Sequence, residues 1–316
     1  MIQHLMTTQH PSLPAAVELA RASEICYSQS SEISLWANEN GFSDGAISFD
    51  RSGVQGFWCA EGNVALLGFR GSQSIAHWIR NFRLVPWRHP WGIVHRGFSD
   101  GVDDVAPDLE LFLAAARQAE HVWLTGHSLG GALAVMAAAW LKRRGVSATV
   151  YTYGQPAAVF NEFAQRYAVE LPGRYVRFVN QNDLVSQLPP FYHHFGIVKR
   201  IVRPGVLESL QLEEAAEMSG EVAERAIAAR EAVGRAGLEA AEAVHKVGIT
   251  APLLVDAELP MLTDQEFLEL QLSLGAADVD PDQDSPELEF ALPSVSDHAI
   301  SEYIRLLTEI RDQSVR

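Results

Sequence analysis

Residues 122–141, VWLTGHSLGGALAVMAAAWL, constrain the fold of this chain more than any other stretch. A short apolar run enters a glycine-flanked turn, and an alanine-rich run leaves it. The first reads as a buried strand and the second as a helix packed closely on its neighbours. Ser128 falls on the connection, between Gly126 and Gly130. There it is either a nucleophile on a strained strand-to-helix turn or a small residue that lets a tight turn close.

The flanking chain supplies the context a nucleophile would need. Val54–Cys59 and Val64–Phe69 read as a strand pair turned at Glu61-Gly62-Asn63. A helix is expected over 15–28, after Pro14, and another over 102–119 with Leu109, Phe112, Leu113 and Ala116 on one face. His121–Thr125 reads as a strand and Ser128–Arg144 as a helix stopped by Gly145. SATVYTYG, RYVRFVN and FGIVKRIVRP follow as strands, with FNEFAQRYA as a helix; a last helix is expected from Ser296 to about Arg311. Strands separated by helices predict an α/β fold, a mostly parallel central sheet with helices on both faces.

The net charge of −16 is carried by one segment. Residues 205–292 hold 20 Asp and Glu against 4 Lys and Arg, while the remainder holds 20 of each kind. That balance argues against nucleic acid as a partner. It also divides the chain into a body, 1–204 with 293–316, and an acidic helical insertion, 205–292. Within the insertion, residues 207–249 read as helix, with Val222, Val233 and Val244 recurring every 11 residues. Eleven residues make three turns, so one face stays in register. Ala226, Gly237 and Gly248 on that face would let another helix approach, which favours packing on the body or self-association with a second copy. A lipid-surface helix is the other reading, weakened because the polar face is Glu rather than Lys and Arg. Residues 263–274 read as a second helix, with Thr263 and Glu266 spaced as a capping box.

No stretch approaches the roughly 20 apolar residues of a membrane-spanning helix. The opening MIQHLMTTQHPSLPAAVELA lacks the cationic start and apolar run of a signal peptide. A cytoplasmic location is the default expectation, with export by a signal-independent route left open. Two cysteines, Cys26 and Cys59, exclude a disulfide-rich scaffold.

A serine nucleophile needs a base, and the base an acid to hold its tautomer. On sheets of this kind the chain order is serine, acid, histidine. Asp183, in NQNDLVSQLPP, follows the strand RYVRFVN at its carboxyl end, where site residues gather in open α/β sheets. Its plain alternative is a turn cap. Of the histidines beyond it, His245 falls in the repeat helix, and His193 and His194 bracket a loop after Pro189-Pro190. His298 opens the last helix, whose N-terminus disfavours imidazolium and so keeps a resting base neutral. Two backbone N–H groups would form an oxyanion hole: that of Leu129, after the serine, and that of Ser72, in the loop after VALLGF. Ile75, Trp78, Ile79 and Phe82 then follow at i, i+3, i+4 and i+7, either a core helix or a lid over the site.

FRGSQSIAHWIRNFRLVPW, VHRGFSDG, VWLTGHSLGGALAVMAA, YTYGQPA, VNQNDLVSQLPP and SDHAISEYI, in this order, resemble the class 3 lipase family, the fungal-type triacylglycerol lipases and their bacterial relatives. The likeness covers about residues 50 to 204 and resumes at 294. It implies an α/β-hydrolase fold and hydrolysis of lipid esters at a lipid–water interface. By position it puts the nucleophile on Ser128, the acid on Asp183, the base on His298, the oxyanion amides on Ser72 and Leu129, and the lid over 74–82. The chain departs from the family at Ser186, where a proline is common, and in the length of chain between Asp183 and His298.

The mechanism expected is acyl transfer: His298 takes the Ser128 proton, Asp183 orients the imidazolium, and water resolves the acyl-enzyme. It needs no metal or cofactor. Triacylglycerol hydrolysis is the first expectation; the alternatives are a phospholipase A1, a monoacylglycerol or diacylglycerol lipase with the same triad, and, more remotely, a non-catalytic lipid-binding scaffold.

Overall fold

A computed structural model of the chain describes residues 1–7, 11–72, 86–180, 183, 185–187, 192–203, 206–210 and 298–314. Its centre is an eight-stranded sheet built from β1 (Ile47–Arg51), β2 (Val54–Glu61), β3 (Val64–Phe69), β6 (His121–His127), β7 (Thr149–Tyr153), β8 (Tyr175–Asn180), β9 (Ile197–Arg203) and β10 (Val206–Leu210), in that order across the sheet. β3, β6, β7, β8 and β9 are parallel neighbours, while β1–β2, β2–β3 and β9–β10 pair antiparallel. A two-stranded ribbon, β4 (Pro86–His89) with β5 (Gly92–His95), stands apart.

The helices are α1 (Ile2–Leu5), α2 (Leu13–Ile25), α3 (Ser30–Glu39), α4 (Arg96–Asp104), α5 (Ala106–Ala116), α6 (Leu129–Lys142), α7 (Asn161–Glu170) and α8 (Ile300–Ser314). They divide between the two faces of the sheet. Ala65, Leu67, Val122, Leu124 and Val150 point to one core, against α4, α5, α6 and α7. Val64, Leu66, Trp123, Tyr151 and Tyr153 point to the other, against α1, α2, α3 and α8. This is the period-2 alternation of strands buried on both sides, and it explains why the central strands read as continuous apolar runs. The mostly parallel central sheet with helices on both faces expected from the sequence is the one observed.

Polar anchors fix the amino-terminal helices to the sheet. The Trp123 indole donates to the Leu5 carbonyl at 2.8 Å, and the Tyr151 hydroxyl accepts from the Ser12 N–H at 2.7 Å. α8, at the far end of the chain, packs against α2 with Tyr303, Leu306, Leu307 and Ile310 buried.

Some boundaries differ from expectation for physical reasons. The single helix expected over 102–119 is two, parted at Val105. Pro107 enters the second at its first turn and has no N–H to continue the ladder of the first. The helix expected from Ser128 starts at Leu129, because Ser128 itself has φ 57°. The last helix begins at Ile300 rather than Ser296. Val206–Leu210, at the head of the segment expected to be an acidic helical insertion from 205, is a strand paired to β9. The sequence before it, Pro204-Gly205, is a turn-forming dipeptide, and the antiparallel partner covers the edge that β9 would otherwise leave open. The sheet therefore runs past 205, to Leu210. The rest of the insertion, including the 11-residue repeat, His245 and the expected helix over 263–274, lies outside the described residues.

Candidate active site

Ser128 sits where β6 becomes α6, and its backbone is forced out of the ordinary range. With φ 57° and ψ −130° it takes a conformation that a side chain rarely tolerates. The glycines make the turn feasible. A Cβ on Gly126 would collide with the Gly130 backbone, and a Cβ on Gly130 with the Phe69 carbonyl of β3. The two small positions thus let strand, helix and neighbouring strand close on one point. The Ser128 N–H donates to the Tyr153 carbonyl at 3.0 Å, which ties the turn to the end of β7.

Asp183 lies beyond the end of β8 and is wholly buried. Its Oδ1 accepts the Val185 N–H at 2.9 Å, so it does cap the short 3-10 turn Val185–Gln187. It also holds a histidine: His298 Nδ1 is 2.8 Å from both carboxylate oxygens. Turn cap and acid partner are the same residue. A carboxylate can only accept, so Nδ1 carries the proton and Nε2 of the neutral ring keeps a free lone pair. His298 is as buried as Asp183. Among the described residues, Ser128 Oγ and His298 Nε2 are both buried polar atoms without a hydrogen-bond partner. Buried polar atoms are seldom left so, and at a reaction site the unpaired ends are where a substrate and a proton in transfer belong. The His298 ring lies against His127, the residue before Ser128, with ring centroids 4.5 Å apart.

The expected helix-terminus placement of His298 is corrected by two residues. The Ala299 carbonyl accepts the first helical bonds, from Glu302 and Tyr303, so His298 lies just outside α8. Leu129 is the first residue of α6, where the amide has no partner within the helix. The loop after β3 runs beside the serine: a Cβ on Gly71 would lie 3.3 Å from Ser128 Cβ, and Ser72 follows it. Leu129 and the Gly71-Ser72 segment therefore both adjoin the serine. Ile75, Trp78, Ile79 and Phe82 lie outside the described residues. His193 pairs with Val159 through its backbone, and His194 Nε2 donates to the Ser186 carbonyl at 2.6 Å, beside the turn that carries Asp183.

Two contributors are absent from the sequence reading. The Tyr303 hydroxyl donates to Asp183 Oδ2 at 2.7 Å and accepts the Asn180 N–H at 2.8 Å. In the sequence Tyr303 simply starts the apolar stripe of α8, with Leu306, Leu307 and Ile310. Gly154, φ 57°, closes β7, and a Cβ there would lie 2.5 Å from Asp183 Oδ2 and 2.7 Å from His298 Nδ1. Its one available signal was a glycine at the carboxyl end of a central strand, the edge where close approaches occur.

Residues 66–193 match the family described as Lipase (class 3). The chain is 34% identical over 138 residues to secreted mono- and diacylglycerol lipase 1 of Fusarium solani, covering 41% of each. It is 40% identical over 133 residues to the lipase of Rhizomucor miehei, covering 39% of this chain and 36% of that one. The chain thus aligns with about two fifths of the length of these curated relatives. Among solved structures, the lipase of Rhizopus microsporus var. chinensis superposes with a TM-score of 0.55 at 23% identity, over 64% of this chain and 78% of that one. A mutant form of MDLA from Penicillium cyclopium gives a TM-score of 0.55 at 23% identity, over 67% and 89%. At that identity the structural likeness establishes a shared fold.

Proposed function

From the match of residues 66–193 to the class 3 lipase family we propose that the chain is a member of that family and a serine carboxylester hydrolase acting on lipid esters. The observation that carries the reading is the buried Asp183–His298 pair, with its free Nε2, beside a serine on a strained turn. Ser128 Oγ attacks the ester carbonyl while His298 Nε2 takes its proton. Asp183 holds the ring and balances the imidazolium. The amides of Leu129 and Ser72 stabilise the oxyanion. His298 then protonates the departing alkoxide, and a water deprotonated by His298 releases the fatty acid and restores Ser128.

Triacylglycerol is the first substrate to test. A second reading, partial glycerides, draws support from the Fusarium and Penicillium relatives, which are named mono- and diacylglycerol lipases. Rates on triolein, diolein, monoolein and phosphatidylcholine decide between these and a phospholipase. Ser128→Ala should remove at least ~10⁴-fold of the rate on the preferred ester; turnover that survives the change would end the proposal. The apolar stripe Ile75, Trp78, Ile79 and Phe82 supports a lid, which would open at a lipid surface because only there is its apolar face covered. A rate that does not rise when tributyrin passes its solubility would remove that part. Those relatives are also named as secreted, which weighs against the cytoplasmic default. Self-association through residues 207–249 rests on the repeat alone, and light scattering of the whole chain tests it.

A further inference from the structure

Tyr27 and His127 have no part in the reaction as written, yet they connect three pieces of the site. Tyr27 lies just beyond α2, and His127 ends β6. The Tyr27 hydroxyl is 3.0 Å from His127 Nδ1, and Gly71 packs against the same phenol oxygen so closely that a Cβ there would collide with it. On the other side of the ring, His127 Nε2 is 2.6 Å from the carbonyl oxygen of His298.

The proton positions follow from what each group can do. A carbonyl oxygen only accepts, so His127 Nε2 bears a hydrogen and donates it. Burial first, and then the neighbouring His298 ring, push the His127 pKa down to about 3. The ring is therefore neutral and Nδ1 is an acceptor, which makes the Tyr27 hydroxyl the donor. Burial pushes the Tyr27 pKa up, so the phenol retains the proton it gives. Both bonds then point the same way, from Tyr27 through His127 to His298, with Gly71 packed on the Tyr27 oxygen.

The two ends of this chain are the places whose spacing the hydrolysis needs. At one end, a Cβ on Gly71 would collide with the Tyr27 hydroxyl, lie 2.5 Å from the His127 carbonyl and crowd Ser128; the next residue is Ser72. At the other end, the bond to its carbonyl fixes the backbone of His298, while Asp183 fixes only its ring. We propose that Tyr27 and His127 are positioning residues that hold the oxyanion loop and the histidine base in register across Ser128. The role rests on the ester-hydrolase reading.

Tyr27→Phe removes one oxygen and leaves the ring packing, so it is the decisive variant. On p-nitrophenyl butyrate its kcat should fall about tenfold with KM within about twofold, a loss inside the ~100-fold that an ångström of misplacement costs. Its Tm should stay near that of the wild type. His127→Gln keeps a donor within reach of the His298 carbonyl and should retain more kcat than His127→Leu, which has none. A Tyr27→Phe protein with unchanged kcat overturns the proposal, as do Gln and Leu variants of equal kcat and equal Tm. If His127→Leu does not fold, Tyr27→Phe still decides. The wild-type protein separates the two levels. If it neither turns over the ester nor takes a fluorophosphonate on Ser128, the hydrolase reading falls and this role with it. If it does both and Tyr27→Phe matches it, the positioning role alone falls.

Discussion

The turn carrying Ser128 is shaped by glycines two residues to either side and by the adjacent strand, whereas His298 is held through hydrogen bonds to residues 115 and 171 positions away. The first constraint is steric and lies in the backbone. The second consists of side-chain and carbonyl bonds among Asp183, Tyr303, His127 and His298. The two should fail differently. Damage to the turn should destabilise the whole protein, because the collision has nowhere to go. Damage to the acid–base end should leave a folded protein with the wrong proton on the wrong nitrogen.

Asp183→Asn gives the largest effect expected on that second side. Asn can keep its oxygen in the Oδ1 position and accept the Val185 N–H, while its NH2 takes the Oδ2 position and faces the Tyr303 oxygen as a donor, so the fold survives. Its amide can donate to His298 Nδ1, which moves the ring proton to Nε2 and removes the base. A kcat loss of about 10⁴-fold with an unchanged melting temperature is expected. A variant that unfolds instead would show the carboxylate to be structural, and the contrast between the two regions would be lost.

Gly130→Ala tests the first side. Its Cβ meets the Phe69 carbonyl and lies 2.9 Å from the Arg70 carbonyl carbon, both backbone atoms that cannot swing away. Overpacking of this kind costs about 2–3 kcal/mol, or roughly 5–10 °C in melting temperature for a domain of this size. Calorimetry measures it. A variant that melts like the wild type would mean the strand and helix can part without cost.

Tyr303→Phe is smaller and falls between the two. It removes a bond to a buried carboxylate, worth about 1.5–3 kcal/mol, and leaves the Asn180 N–H without its acceptor. Because Asp183 remains charged and tied to Val185, part of that loss should appear as a fall in kcat of about tenfold with KM unchanged. Lower stability with full kcat would make Tyr303 a packing residue only.

The same contrast explains what the sequence could reveal. The Ser128 turn was legible because its determinants lie within a few residues, and a strand, a turn and a small-residue helix each leave a local pattern. The parallel sheet was legible through alternation of strands and helices. The pairing of Asp183 with His298 was expected from chain order, from the strand end before one and the helix after the other, and from the family resemblance; no single window of sequence holds both. Tyr303 was not legible, since the hydroxyl that meets Asp183 sits on a residue whose helical spacing marks it only as core. Tyr27 and His127 were missed for the same reason: three separate pieces of chain meet there, and no window of sequence contains them. The strand Val206–Leu210 was misread because the acidic composition beyond it outweighed the Pro204-Gly205 turn signal.

His127 belongs to both regions, and pH can tell how much of the turn's stability depends on it. In the folded chain its pKa is pushed from the ordinary 6.5 to about 3, chiefly by burial. Between those values the unfolded chain binds a proton that the native chain does not. Stability is therefore complete above about pH 6.5 and falls as the pH drops toward 3, by about 1.4 kcal/mol per unit from this residue. His89, pushed down to about 4 by burial and then by Arg143, acts in the same direction but is more open to water, so its share is smaller. Urea melts of the wild type and His127→Gln at pH 6.5 and 5 isolate the effect. Glutamine does not titrate, so the variant should lose less stability between the two pH values by about 2 kcal/mol. Equal losses in the two proteins would mean that His127 is protonated in the folded state after all. The donor direction through Tyr27 would then reverse, and the acid sensitivity of the turn would have to come from the carboxylates around it.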